Sequence, residues 1–585
     1  MEAISYKEPA KSDGEKFPVG NGRLGALVAG GIACETVNLF EESVWTAPFA
    51  DRINKDSHAA LAQIQKATSE GRMTEAIQGA KESLQSVPPY CASYKAAGSL
   101  HVEFFADEGW VPLEKPSVYE RKLDLETGLV KTSLSCETSR TNTAIFARSS
   151  SLSSGSSITY TREIFSTSVD DVLAIHVSAS IPKSVYLRAY FDCEDGRSNV
   201  FTLDDDTLVM EEFDGIPKSF MMMASLSGGK CRIKGGCMII EAADDATLYI
   251  DVESAYRNNH YRRRGGNVSR SAKALATWAS DRALKKLCFA QAKPYLSVKE
   301  DHCQEFSRSF DRVRLDLCGD AAEQSWNYAR YLFLSSSKAP GSLPPLAGGL
   351  WNIKGSDTRY DLVNAARLPV FEQGFERCVP QFKNYAKALY KKGVKVSRAI
   401  YGNETFAVHT YTDIWGDAAP VGAVQDTSSL AAFTPIKDNA FTVIANNYKA
   451  FTLETKALGK AAALCDEKPH YEFALNESSP SCFAPLCYTT KIADVSLHDS
   501  CVRIKLFDSD NFSADGSLTG LDLPGNLRLD IEWKDRTPCG GRIYAKHNCA
   551  DFIKKLCVVW KGKEYETTLF DGSVEILNLL PSTLH

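Results

Sequence analysis

Between about Ser99 and Leu296 the chain runs through short apolar–polar alternations divided by Gly, Ser, Asp and Pro. Examples are Val172-Leu173-Ala174-Ile175-His176-Val177-Ser178 and Val185-Tyr186-Leu187-Arg188-Ala189-Tyr190-Phe191. A period of two sends successive side chains to opposite faces, so these runs read as half-buried strands, and a long succession of them calls for antiparallel sheets packed as a sandwich. The pattern returns from about Val495, in Val502-Arg503-Ile504-Lys505-Leu506, Leu527-Arg528-Leu529-Asp530-Ile531-Glu532-Trp533 and Arg542-Ile543-Tyr544-Ala545. There Gly516, Gly520, Gly525, Gly540, Gly541, Gly562 and Gly572 fall at hairpin-like intervals, with a turn expected at Gly520-Leu521.

The stretch between the two strand-rich regions has helical spacing. Helices are expected from Ser57 to Leu84, over the first half of Ala274–Arg312, from Glu323 to Ser336, from Val370 to Lys392, from Ile436 to Thr455 and from Lys456 to Cys465. The expected architecture is therefore multidomain α and β: residues 1–273 an N-terminal β super-sandwich, 274–322 a helical linker, 323–485 a helical domain and 486–585 a C-terminal β-sandwich. A length of 585 residues supports three or four such units.

Composition excludes several function classes. A net charge of −6 without a basic run argues against nucleic acid or an anionic membrane as partner. No apolar window reaches the roughly 18–20 residues of a bilayer span, and Met1 to Lys16 has no apolar leader core, so as written the chain is expected in the cytosol, with export the alternative if the N-terminus is incomplete. The 17 cysteines include no C-x-x-C pair, so neither a zinc site nor a disulfide framework is indicated, and no cofactor or metal is expected. The Gly-rich run Phe17 to Gly31 fits neither a Rossmann nor a P-loop spacing.

Chemistry concentrates between Pro340 and Pro420. One turn, Pro340-Gly341-Ser342-Leu343-Pro344, leads to Trp351-Asn352. A second loop holds His409, then Thr412-Asp413-Ile414-Trp415-Gly416-Asp417. An indole covers the apolar face of a pyranose while Asn, His and Asp bond its hydroxyls, so these residues suit a saccharide pocket. Two readings of Trp351 and Trp415 stand side by side, a sugar platform and a buried anchor, and His409 divides in the same way.

Taken in order, Gly20-Asn21-Gly22-Arg23-Leu24-Gly25, Tyr160-Thr161-Arg162-Glu163, Arg330 to Ser337 with the Pro-Gly-Ser-Leu-Pro turn, and Thr412-Asp413-Ile414-Trp415 resemble glycoside hydrolase family 95, the inverting α-L-fucosidases. The resemblance implies a β-sandwich, an (α/α)6 barrel and a closing β-sandwich. It implies a fucosylated oligosaccharide or glycan as partner, with Trp351, Asn352, His409, Asp413 and Trp415 binding substrate. Twelve helices with their connections need on the order of 200 residues, whereas Glu323 to Pro485 holds roughly 160, so the barrel is expected to be partial.

The same resemblance places the general acid on a Glu in a Ser-Pro-Glu turn, where this chain has Ser481. It places the attacking water on an Asn-x-Asn pair, where Asn364 matches the second position and Leu362 falls on the first. A hydroxyl cannot replace a carboxylic acid as proton donor, a role worth about 10²–10⁴-fold. Glu42, Glu163 and Glu477 read as hydrogen-bonding or solvated carboxylates. The expectation is an α-L-fucosidase-like glycosidase with activity lost or impaired. The alternatives are a non-catalytic saccharide-binding or scaffold protein and an incompletely read gene of an active fucosidase.

Overall fold

The computed structural model describes residues 3–113, 116–137, 157–192, 198–344, 346, 348–351, 359–361, 379–404, 406–426, 484–498, 501–507, 512–523, 527–545, 553–570 and 573–579. The fold is mixed: large antiparallel sheets at the N-terminus, a helical middle and β-sheets again at the C-terminus. Among the described residues no helix is long and apolar enough to cross a membrane.

The N-terminal part stacks a nine-stranded sheet on a seven-stranded one. Its central strand Asp245–Ser254 is buried almost throughout because both faces are covered. Leu248, Ile250 and Val252 join the inter-sheet core, while Tyr249 faces the other way with Ala283, Leu287 and Ala290 of helix Ala272–Gln291. The helix begins where Ser271 Oγ accepts the Ala274 N–H, an N-cap. Its Lys286 and Arg282 neutralise carboxylates that the strand sends to that face: Lys286 Nζ lies 2.6 Å from Asp251 and 2.7 Å from Glu253, and Arg282 Nε 3.0 Å from Glu253. Buried acids are tolerated only when paired in this way.

The Gly20–Gly25 run is a docking surface. Asn21 Oδ1 accepts the N–H groups of Arg23 and Leu24, and Arg23 reaches Asp171 at 2.7 Å and Asp251 at 2.5 Å. Gly22, at φ +91°, donates to Ser335 O at 2.8 Å, and a Cβ there would collide with the Lys338 backbone. The loop thus accepts the end of helix Ala321–Ser337, immediately before the Pro-Gly-Ser-Leu-Pro turn.

The expected Ser57–Leu84 helix is broken into Ser57–Ser69, Met73–Gly79 and a final turn to Leu84. The linker holds helices Ala272–Gln291 and Tyr295–Phe310, then strand Arg314–Asp316. The helix expected over 370–392 spans Val379–Tyr401; the expected helices 436–455 and 456–465 lie outside the described residues.

At the C-terminus a five-stranded sheet recruits strand Arg314–Asp316, and a four-stranded sheet pairs Cys501–Leu506 in parallel with Ile553–Trp560. The turn expected at Gly520-Leu521 is instead extended strand. Both residues lie inside strand Gly516–Leu523, where the register shifts between Leu518 and Leu521, and Gly520 N–H is taken by Asp530 Oδ1 at 2.8 Å. Gly540 and Gly541 likewise lie within strand Thr537–Ala545. Glycine here marks a bulge, an extra residue in one strand of a pair.

Candidate active site

Two loops of the middle region close on the N-terminal part, each held by a buried charge. Glu42 follows strand Cys34–Glu41, and its carboxylate accepts the backbone N–H groups of Ser342 at 2.7 Å and Leu343 at 3.0 Å. Arg257 binds Glu42, Glu41 (2.8 Å) and Ser342 Oγ (2.7 Å) together. Burial pushes the Glu42 carboxyl up and Arg257 opposes it. The Pro-Gly-Ser-Leu-Pro turn therefore rests on an ion pair from another part of the chain. Trp351 completes this anchor: its indole Nε1 donates to Val19 O at 3.0 Å in a buried setting.

The second loop is organised by its own carboxylates. Asp413 Oδ1 accepts the N–H groups of Trp415 at 2.9 Å and Asp417 at 3.1 Å, so the side chain folds the loop onto itself. Asp417 accepts the Ala419 N–H at 2.9 Å and pairs with Arg52 at 2.6 Å. The same guanidinium donates to the carbonyls of Pro88, Pro89, Ala419 and Pro420 at 3.1–3.2 Å. Burial and the Asp417 charge hold the Asp413 carboxyl up at about 6. Lys392 donates to Trp415 O at 2.8 Å from above the Phe49 ring, and burial lowers its ammonium to about 8.

An aromatic chain joins the two loops. Trp45 donates to Glu42 O at 3.0 Å and packs on Tyr360 at 5.1 Å; Tyr360 packs on Tyr385 at 5.2 Å; Tyr385 Oη donates to Asp413 O at 2.7 Å. Trp415 is set edge-on to Tyr256 at 5.3 Å, and its indole donates to Ala47 O at 2.9 Å. Both indole donors are thus engaged by backbone. His409 is buried, with Nδ1 2.8 Å from Ala418 O and Nε2 2.8 Å from Tyr401 Oη. A carbonyl can only accept, so Nδ1 carries the proton and Nε2 accepts from the tyrosine. One ring nitrogen is thus used within the loop and the other by the last residue of helix Val379–Tyr401. Asn352 and Asn364 lie outside the described residues, as do Leu362, Glu477 and Ser481.

The loop's acids lie close together. The Cys91 sulfur and one oxygen each from Asp413 and Asp417 lie within 4.8 Å of one another. Burial pushes the Cys91 thiol up to about 12, and the Arg52 guanidinium already supplies the positive charge beside Asp417.

Arg52, Arg257, Lys392 and Tyr385 are site-forming residues that motif reading passes over. Nothing in their local sequence marks them, since each stands among other polar and charged residues, and each becomes informative only once its distant partner is known.

The family model described as glycosyl hydrolase family 65, N-terminal domain, matches residues 4–259, and that described as glycosyl hydrolase family 95 catalytic domain matches residues 319–462. The chain is 23% identical to alpha-L-fucosidase 2 of Arabidopsis thaliana over 71% of its own length and 52% of that protein's. It is 24% identical to the probable alpha-fucosidase A of Aspergillus niger, over 70% of its own length and 53% of the other's. The chain thus spans about half the length of these curated relatives. A putative kojibiose phosphorylase from the human microbiome shares the fold across 98% of both chains, with a TM-score of 0.56 at 10% identity. Together with the motifs above, these matches identify the chain as a divergent glycoside hydrolase family 95-like protein.

Proposed function

We propose that the chain is a fucosidase-type glycan-binding protein that engages a terminal α-L-fucosyl residue and whose hydrolytic step is lost or much weakened. The observation that carries this reading is that the two acids of the best-kept loop, Asp413 and Asp417, have oxygens bonded to Arg52 and to the backbone of their own loop. Inverting hydrolysis needs one carboxylic acid to pass a proton to the departing glycosidic oxygen. A second group must take a proton from a water that attacks the anomeric carbon from the opposite face. Ser481 at the position of the family's acid, and Leu362 at the first position of its water-holding pair, support the same reading.

The test is an assay of the full chain on an aryl α-L-fucoside, alongside L-fucose binding by calorimetry. Saturable binding without turnover is the expected result. Turnover by the parent chain that disappears in Asp413→Ala overturns it.

One observation favours an active enzyme as a second reading. The Asp413 carboxyl at about 6 suits a proton donor, and among the described residues no donor reaches its Oδ2. Under this reading kcat/KM falls above pH 6, and Asp413→Asn abolishes the reaction while keeping the Oδ1 acceptor that folds the loop.

A further inference from the structure

Each of the two stacked N-terminal sheets ends in two edge strands, and three of these four are guarded. Phe17–Gly20 is buried and carries Pro18, Lys230–Lys234 sets Lys230, Arg232 and Lys234 along five residues, and Ala3–Tyr6 is only four residues long. Such features discourage a foreign strand from adding to a sheet. Strand Ser198–Asp204 has none of them. It runs for seven residues, those from Ser198 to Leu203 carry no charge and no proline, and all but Phe201 are exposed, with Val200 at 45% and Leu203 at 44%. Antiparallel pairing to Thr207–Glu212 uses one side of it, and the register is regular from Ser198 to Thr202. Among the described residues no strand pairs with its other side, so every second residue there turns a backbone N–H and C=O to solvent.

The strand is backed on both faces. Phe201 packs, as does Leu284 of helix Ala272–Gln291, against the core beneath that helix. On the inner face the hairpin of strand Lys230–Lys234 runs alongside in the opposite direction: Cys231 Sγ lies 3.5 Å from Asp205 O, and a Cβ on Gly236 would stand 3.5 Å from Val200 Cγ1. The hairpin turn with exposed Lys234 therefore lies towards one end of the strand, while exposed Asp204 and Asp205 mark the other. A two-fold axis near Val200 and Phe201 brings the acidic end of each copy to the basic end of the other. We propose that a second copy of the chain adds across this edge, strand Ser198–Asp204 pairing antiparallel with itself so that the nine-stranded sheet continues through a two-fold axis. Main-chain hydrogen bonds supply the attraction, the uncharged run lets the copies approach, and the separated charges fix the antiparallel direction.

Sedimentation velocity and hydrogen exchange on the full chain test it. Monomer should give way to dimer between about 1 and 100 μM, as suits a small interface. Over the same range the amides of Ser198–Asp204 should exchange about tenfold more slowly, while those of Lys230–Lys234 keep their rates. Val200→Lys, which sets like charges against each other at the axis, should weaken association about tenfold or more. Lys234→Glu should weaken it too, and adding Asp205→Lys should restore it. Unchanged far-UV circular dichroism verifies that the variants fold, and the exchange measurement on the parent stands without them. A parent that stays monomeric throughout that range, a dimer whose formation leaves exchange at Ser198–Asp204 unchanged, or a double reversal no more associated than Lys234→Glu alone overturns the proposal.

Discussion

At Asp413, burial keeps a proton on the folded chain that the unfolded chain gives up sooner. The folded carboxyl sits at about 6 against an ordinary value of 3.8. Between these values the native state binds more protons, so stability falls as pH rises from about 4 to about 6, by at most about 1.4 kcal/mol per pH unit. Urea unfolding of Asp413→Asn across that interval should lose this fall relative to the parent, and an unchanged slope would show that Asp413 is not its source. His302 acts with the opposite sign. Burial and the nearby Lys338 charge lower it to about 3 from 6.5, and its ring stacks on Phe165 at 4.6 Å. Its contribution is complete above pH 6.5 and is lost as pH falls towards 3, because the unfolded imidazole takes up a proton that the folded one refuses. His302→Phe should therefore flatten the acid limb of the stability curve. Neither effect can be read from the sequence. Asp413 stands in a recognisable motif, but its elevated carboxyl depends on Asp417 and on burial together. Trp351 and Trp415 suit platform and anchor alike until the partners of their N–H groups are known.

Where one segment docks on another, distance along the chain decides what pattern reading can find. The strands and the two loops follow from local periodicity and turn residues, and the structure has them in the same order. Glu42 looks like an ordinary strand-end carboxylate because the turn it supports lies 300 residues away. The helix Val379–Tyr401 passes the expected end at Lys392. Gly393 sits within the helix, with Phe406 packed where a Cβ would be, and the end comes before Gly402 at φ +62°. Glu42 also gives a direct test. Glu42→Ala removes the acceptor for two N–H groups and leaves Arg257 with only part of its counter-charge, a loss of about 3–5 kcal/mol. Hydrogen exchange at Ser342 and Leu343 should quicken well beyond the change at Phe17–Gly20. Uniform acceleration across both would show that the turn is held by the fold at large and not by this carboxylate.

The strand-rich ends and the helical middle share one apolar core, which continues from Phe17 through Trp326 and Leu389 to Ile576. Polar ties run across it. Arg52 from the N-terminal part binds Asp417, Tyr94 Oη donates to Leu350 O at 2.9 Å, and Leu315 pairs with Leu518 to bring the linker into the C-terminal sheet. Parts joined only by small polar contacts melt separately, whereas parts that share buried apolar surface and buried charge melt together. The full chain should therefore show one calorimetric transition for the described regions. Arg52→Met should lower that transition as a whole, since Asp417 is then left buried without its cation, a loss of about 3–5 kcal/mol. If Arg52→Met instead splits the trace, with a strand-rich part unfolding at the parent temperature and a helical part well below it, the shared core does not couple them. The Arg52–Asp417 pair would then be a hinge pin between units that fold on their own, and the contacts of Trp415 with Ala47 and Tyr256 would position the loop carrying His409, Asp413 and Trp415 without coupling the unfolding of the two parts.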